Sequence, residues 1–300
     1  RFDYAAALLP NGNIVYIGGV DSSGVIPLYN INDDTWHSMT TTGYLLTPRG
    51  HHSSVQMTYK VIIFDMGGVC VGSPFEGIMK FEKEHNLPHN YINVIIVKKG
   101  ENGAFQRLER GEISLNEFYQ VFSEELSNPI NKQHYIQYLK SRGETALPQI
   151  PDQILIDGKS LFRKMMSESA KINPAIFTAL KKLRSSNKFK LVALTNNFLM
   201  PTDDLKEIEL LGGTMPQELK CLFDEFFESS VIGLRKPDPR IFLYACEKLG
   251  IEPKDAIFLD DIGMNLKTAM NLGMRTIRVE LGGSEKSNQR IGATYRNLVI

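Results

Sequence analysis

Val61-Ile62-Ile63-Phe64-Asp65-Met66-Gly67-Gly68-Val69 is an apolar, largely β-branched run that stops on a carboxylate and then on two glycines. Four apolar residues without polar alternation predict a strand buried on both faces, as in a parallel sheet. Asp65 then falls at the strand's carboxyl end, the edge at which open α/β sheets bind ligands. Gly67 and Gly68 carry no Cβ, so the backbone can turn sharply there and approach a bound group. By itself this pattern also fits a strand followed by an ordinary Asp-initiated turn. The rest of the chain decides between the two.

Three hundred residues suffice for one large domain or two smaller ones. Lysines plus arginines equal aspartates plus glutamates at 34 each, so no global field draws in nucleic acid or a membrane surface. The apolar runs fall short of the ~20 residues of a membrane-spanning helix, and the first residues lack the basic-then-apolar pattern of a secretory signal. Cys70, Cys221 and Cys246 are widely spaced and odd in number, which points to reduced thiols in a cytoplasmic setting. The chain starts at Arg1 without a methionine, as a fragment or processed form does.

Residues 1–57 have their own texture. Tyr4 to Leu9, Ile14 to Ile17 and Val25 to Tyr29 are strand-like runs separated by turn signals, which predicts a β-meander. Gly18-Gly19, Tyr29 and Trp36 resemble one kelch propeller blade, and the Arg1–Ala7 pattern is echoed at Arg49–Val55, close to the ~50-residue kelch period. A lone blade cannot cover its own edges, so the segment reads as a remnant joined to an unrelated domain and dispensable for catalysis. His51-His52 lacks a third ligand at a recognisable spacing and reads as a solvated pair.

From Tyr59 onward strands and helices alternate. Strands are predicted at Lys60–Asp65, Phe189–Thr195, Glu228–Ile232, Ala256–Asp260 and Arg275–Val279, with helices at Ile176–Leu183, Arg240–Leu249 and Leu266–Leu272. Asp238, Pro239 and Gly250 mark the limits of the second helix. The alternation predicts βαβ units in a doubly wound, Rossmann-like parallel sheet, built from residues 58–72 and 174–283. Residues 73–173 form an insertion, read as a helical cap: Phe75–His85, Phe105–Arg110, and a helix opened by the capping box Ser114-Leu115-Asn116-Glu117. Tyr91–Val97 is ambiguous between strand and helix. Emerging beside the first strand's carboxyl end, the insertion is placed to act as a lid. Residues 284–300 are a polar tail with an apolar end.

Each later strand delivers chemistry to the same rim as Asp65. Leu191–Leu194 ends in Thr195-Asn196-Asn197, Ile257–Leu259 ends in Asp260-Asp261, and Lys236 precedes a helix start. Such a set suits phosphoryl transfer, in which a carboxylate nucleophile splits the displacement into two steps through an aspartyl-phosphate. A divalent cation on hard oxygen ligands offsets repulsion between the acids and an anionic substrate. A lysine and a hydroxyl bind the phosphoryl oxygens on which charge spreads in the transition state.

Four stretches, Phe64–Val69, Leu194–Asn197, Arg235–Ile241 and Phe258–Leu266, resemble in order and spacing the four motifs of the haloacid dehalogenase superfamily of hydrolases. The likeness, over about 59–283, is greatest to the phosphatase-type domain of soluble epoxide hydrolases and to the related domain fused to some acyl-CoA dehydrogenases. Residues Gly103–Ile113 are similar to that group's cap. The resemblance implies Asp65 as nucleophile and metal ligand, Thr195 as phosphate-binding hydroxyl, Lys236 as neutralising lysine and Mg2+ as the metal. It further implies the Gly67 carbonyl and Asp261 as metal ligands, Asp260 and Asn265 as supporting residues, and Met66, Gly67, Thr195, Asn196 and Lys236 as substrate-binding. A small phosphorylated metabolite is the implied substrate.

The departure is at Gly67, where most phosphatases of this superfamily carry a second aspartate that acts as general acid and base. Glycine does neither job, so slow turnover of poor leaving groups is expected. Two further readings stay open: metal-independent halide displacement by Asp65, which the Asp260-Asp261 pair argues against, and a catalytically weak or inactive binding module, which Gly67 favours. Cys70, near Asp65 but without a histidine spaced to activate it, reads as a small buried apolar residue.

Overall fold

The computed structural model describes residues 59–279 except Ala146 and Asp152, and, in the first part of the chain, the backbone of four strands. These are β1 (Ala5–Leu8), β2 (Asn13–Ile17), β3 (Val25–Asn30) and β4 (Thr35–Thr40), paired antiparallel in chain order with Ala5 opposite Ile17, Ile14 opposite Tyr29 and Tyr29 opposite Trp36. Three of them follow the predicted apolar runs, and the fourth contains Trp36. The kelch resemblance stands on sequence alone, and the Arg49–Val55 echo with His51-His52 lies outside the described residues, as does the 284–300 tail.

The chain divides at Thr58, and the second unit begins with β5 (Val61–Phe64). It continues through α1 (Pro74–Glu84), α2 (Tyr91–Lys99), α3 (Ala104–Glu109), α4 (Leu115–Ser127), α5 (Asn131–Ser141), α6 (Gly158–Ser169) and α7 (Pro174–Ser186). Then come β6 (Lys190–Thr195), α8 (Leu205–Leu210), α9 (Gln217–Lys220), β7 (Glu225–Glu228), α10 (Ser229–Ile232), α11 (Pro239–Leu249), β8 (Ala256–Asp260), α12 (Gly263–Asn271) and β9 (Arg275–Arg278). The five strands run parallel in the order β7-β6-β5-β8-β9. The chain starts in the middle, builds outward through β6 and β7, then crosses back to β8 and β9. The order therefore reverses beside β5, where a doubly wound sheet opens its ligand crevice.

Alternation explains why the interior positions of the central strands are apolar. Ile62, Phe64, Leu191, Ala193, Ile257 and Leu259 face a cluster with Ile176, Leu180 and Leu183 of α7. Val61, Ile63, Val192, Leu194, Ala256 and Phe258 face Ile241, Phe242 and Ala245 of α11 and Leu266 and Ala269 of α12. Successive side chains leave opposite sides of a strand, so a sheet covered twice must be apolar at every position.

The helices between β5 and α7 bury their apolar faces largely against one another, in a cluster that includes Ile78, Tyr91, Ile92, Phe118, Phe122, Phe162 and Met165. The predicted start signal at Ser114 operates, its hydroxyl accepting from Glu117 N, and the Ser73 hydroxyl, not singled out in the sequence, accepts from Phe75 N in the same way. The ambiguous run Tyr91–Val97 is helical, because Tyr91, Ile92 and Ile95 fall on one buried helical face. At α11, Asp238 caps Arg240 N, and Gly250 closes the helix with φ 65°.

One strand is displaced from its predicted place. Glu228–Ile232 was expected to be a strand; the sheet instead uses Glu225–Glu228, and Ser229–Ile232 is a helical turn. The edge position takes Phe226 and Phe227 as its β-formers, Asn197 engages Ser229 and Ser230, and Val231 is exposed.

Candidate active site

Asp65 is the first residue past β5, and its N–H donates to Leu259 O at 2.8 Å, continuing the ladder to β8 by one step. That step sets Asp65 alongside Asp260, the last residue of β8. The backbone then folds back: the Met66 carbonyl accepts from the N–H groups of Val69, Cys70 and Val71, and Gly68 adopts φ 77°, which any Cβ would strain. Within this turn Met66 N donates to Asp65 Oδ1 at 2.7 Å. Lys236 Nζ approaches the same oxygen at 2.7 Å. No described residue donates to Oδ2.

Lys236, only 1% exposed, also donates to Asp260 Oδ2 at 2.8 Å. Asp260 is fully engaged, since Oδ1 accepts from Ile262 N at 2.7 Å and Asn265 Nδ2 lies 3.2 and 3.0 Å from Oδ1 and Oδ2. Asn196 grips the lysine's backbone from both sides: its Oδ1 accepts from Lys236 N at 2.8 Å, and its Nδ2 donates to Lys236 O at 2.9 Å. Asn197 locks the neighbouring rim, with Nδ2 donating to Glu228 Oε1 at 2.6 Å and Oδ1 accepting from Ser230 Oγ at 2.8 Å.

Asp65, Asp260 and Asp261 each present a carboxylate oxygen, and these oxygens lie within 4.8 Å of one another. One buried ammonium pairs with two of these acids, Asp65 and Asp260. Burial pushes Asp65 up to about 8 against the pull of Lys236, and pushes Asp261 up to about 6 with the Asp260 charge adding to it. Burial disfavours the Lys236 charge, yet Asp65 and Asp260 hold its pKa above the ordinary lysine value. Asp261 Oδ1 is buried and accepts no hydrogen bond from a described residue. Hard oxygen donors in negative excess, one of them orphaned, fit a divalent cation.

The expected residues thus fall into three groups. Asp65, Lys236, Asp260 and Asp261 converge, and Asn265 is tied to them through Asp260. Thr195 and Gly67 share the rim without bonding to that cluster: the Thr195 hydroxyl donates to Asn196 O at 3.3 Å, and Gly67 bridges Val71. Asn196 and Met66, expected at the substrate, direct their hydrogen bonds to Lys236 and Asp65. Cys70 is fully buried, and burial holds its thiol well above the usual range. Sequence reasoning assigned no role to Arg235 or Glu109, which pair at 2.6 Å beside the lysine; their signal was opposite charge within two separate stretches of the family resemblance.

A Rossmann-like parallel sheet with acids at its switch point and a helical insertion after the first strand defines the class of doubly wound α/β proteins. A family profile described as haloacid dehalogenase-like hydrolase matches residues 59–273, and the chain belongs to that family. It is 31% identical to mouse acyl-CoA dehydrogenase family member 10 over 254 residues, 82% of this chain and 21% of the relative. It is 30% identical to pig bifunctional epoxide hydrolase 2 over 227 residues, 74% of this chain and 37% of the relative. The chain thus spans well under half of either curated relative. Among solved structures, a magnesium- and phosphate-bound family enzyme from Bacteroides thetaiotaomicron is similar at TM-score 0.46 and 21% identity, over 75% of this chain and 96% of that one. Among the described residues no helix is long and apolar enough to cross a membrane.

Proposed function

We propose that the chain is a Mg2+-dependent phosphatase-type hydrolase acting through an aspartyl-phosphate on a small phosphorylated metabolite. The observation that carries this reading is the gathering of the Asp65, Asp260 and Asp261 carboxylates, the first two paired with Lys236 and Asp261 Oδ1 left without a donor among the described residues. Asp65, Asp261 and the Gly67 carbonyl would hold the cation, which when bound supplies positive charge against the acids and the incoming phosphoryl group. Asp65 Oδ1 is engaged by Met66 N and Lys236, so Oδ2 is the oxygen that attacks phosphorus while the ester P–O bond breaks. Lys236 has three N–H donors, two directed at Asp65 and Asp260, which leaves one for a phosphoryl oxygen. Thr195 supplies a second donor. Water then attacks the acyl-phosphate phosphorus, releasing phosphate and restoring the Asp65 carboxylate. The helical insertion at 73–173 serves as the lid that excludes bulk water from that intermediate.

Gly67 favours a second reading, a binding module with little or no turnover, because no carboxyl stands there to protonate the leaving oxygen. A para-nitrophenyl phosphate assay with and without Mg2+, run beside Asp65→Asn, decides between them. Metal-dependent turnover abolished in the variant supports the phosphatase; silence under every condition supports the module, and metal-independent halide release from a 2-haloacid would select dehalogenation instead.

A further inference from the structure

Arg235 and Lys236 are neighbours in the chain but pair with different partners. Lys236 enters the carboxylate cluster, whereas Arg235 Nε donates to Glu109 Oε2 at 2.6 Å, at the last residue of α3 in the helical insertion. The two side chains are 16% and 13% exposed, so water screens this pair far less than a surface ion pair. A second layer backs it: Arg235 Nη1 lies 3.5 Å from Glu101, and Glu101 is held by Arg110 through its carboxylate at 2.8 Å and its carbonyl at 2.7 Å. Two residues beyond Glu109, Gly111 adopts φ 68°, and a Cβ there would stand 2.4 Å from Ser230 O. The end of α3 therefore abuts both the α10 turn and the segment bearing the lysine. Arg235 and Lys236 share a peptide bond, so a shift of Arg235 strains the Lys236 backbone, whose N–H and carbonyl are both hydrogen-bonded to Asn196.

We propose that Glu109 and Arg235 are a positioning pair through which the end of α3 holds Lys236 at the carboxylates. Its catalytic consequence rests on the phosphatase reading above. Because a misplacement of ~1 Å far from the chemistry can cost ~10²-fold in rate, Glu109→Gln and Arg235→Met are each expected to lower kcat about 10- to 100-fold with KM nearly unchanged. Arg235→Lys recovers part of the loss. The double variant loses no more than the worse single, because the two residues act as one unit.

The experiment is this cycle on the full chain, with para-nitrophenyl phosphate and Mg2+, together with hydrogen exchange at the Lys236 amide, which donates to Asn196. Faster exchange in both singles is the expected result. Multiplying losses, an effect on KM alone, or singles at the wild-type rate overturns the proposal. If the wild type itself hydrolyses no phosphate ester, the phosphatase reading is what has failed, and the exchange arm decides the pair: unchanged protection in both singles rejects it.

Discussion

Lys236 Nζ stands 2.7 Å from Asp65 Oδ1, in a pocket where both side chains are buried. The same ammonium serves Asp260, so one residue neutralises acids from two adjacent strands. Lys236→Met is therefore expected to stop turnover and to cost about 3–5 kcal/mol of stability, the usual cost of leaving a buried charge without its partner. Chemical denaturation with and without Mg2+ checks this, and the variant should regain more stability from the cation than the wild type does.

Asp261→Asn removes a charge from a carboxylate that has an unpartnered buried oxygen. The metal-free variant should be no less stable than the wild type. A cation at 100 times its dissociation constant stabilises a protein by about 2.7 kcal/mol, and the variant should lose most of that rise. A Tm titration with Mg2+ tests both halves, and an undiminished shift would remove Asp261 from the ligand set.

Gly67→Asp restores the acid that most phosphatases of this superfamily carry. The backbone accepts a Cβ there, which would meet only Pro74 Cδ, in ordinary contact at 3.6 Å. General acid help is worth ~10²–10⁴-fold, so turnover of alkyl phosphates should rise steeply while that of para-nitrophenyl phosphate changes little. Equal effects on the two substrates would contradict this account of Gly67.

Glu207 in α8 joins the α4 and α6 helices: its Oε1 accepts from Tyr119 Oη at 2.7 Å and Arg163 Nε at 3.0 Å, and Lys159 lies 3.5 Å from Oε2. Arg163 above all holds its carboxyl down to about 2. A depressed acid adds stability above its unfolded pKa of ~4.3 and loses it as pH falls through the folded value. Glu207→Gln should therefore cost on the order of 2–3 kcal/mol at neutral pH, with the gap to wild type closing below about pH 4. Urea unfolding at pH 7, 5 and 3.5 measures it.

Every residue of the proposed site lies in the unit Tyr59–Ile300. Deleting residues 1–57 should leave metal-dependent turnover intact. Loss of activity from a remainder that still folds would assign the first strands a part in the site.

Much of this was legible in the residues. β5, β6 and β8 were readable because a strand covered on both faces is apolar through its interior, and because β6 and β8 end on Thr195 and Asp260 and β5 runs straight into Asp65. α11 was readable because Asp238, Pro239 and Gly250 act on the backbone within a few residues. The β7 assignment slipped because Val231-Ile232 looks as β-prone as Phe226-Phe227, and only the sheet edge selects the latter.

The sequence by itself determined the α/β class, the strands that form the site's rim and the residues at their ends, since these follow from local periodicity and turn chemistry. Tertiary structure alone decided that Lys236 is shared by Asp65 and Asp260, that Asn196 grips the lysine's backbone, and that Glu109 meets Arg235 across 126 positions of chain. Charge pairing between distant segments leaves no periodic trace along a chain; it exists only once the sheet and its inserted helices bring those segments within hydrogen-bond reach.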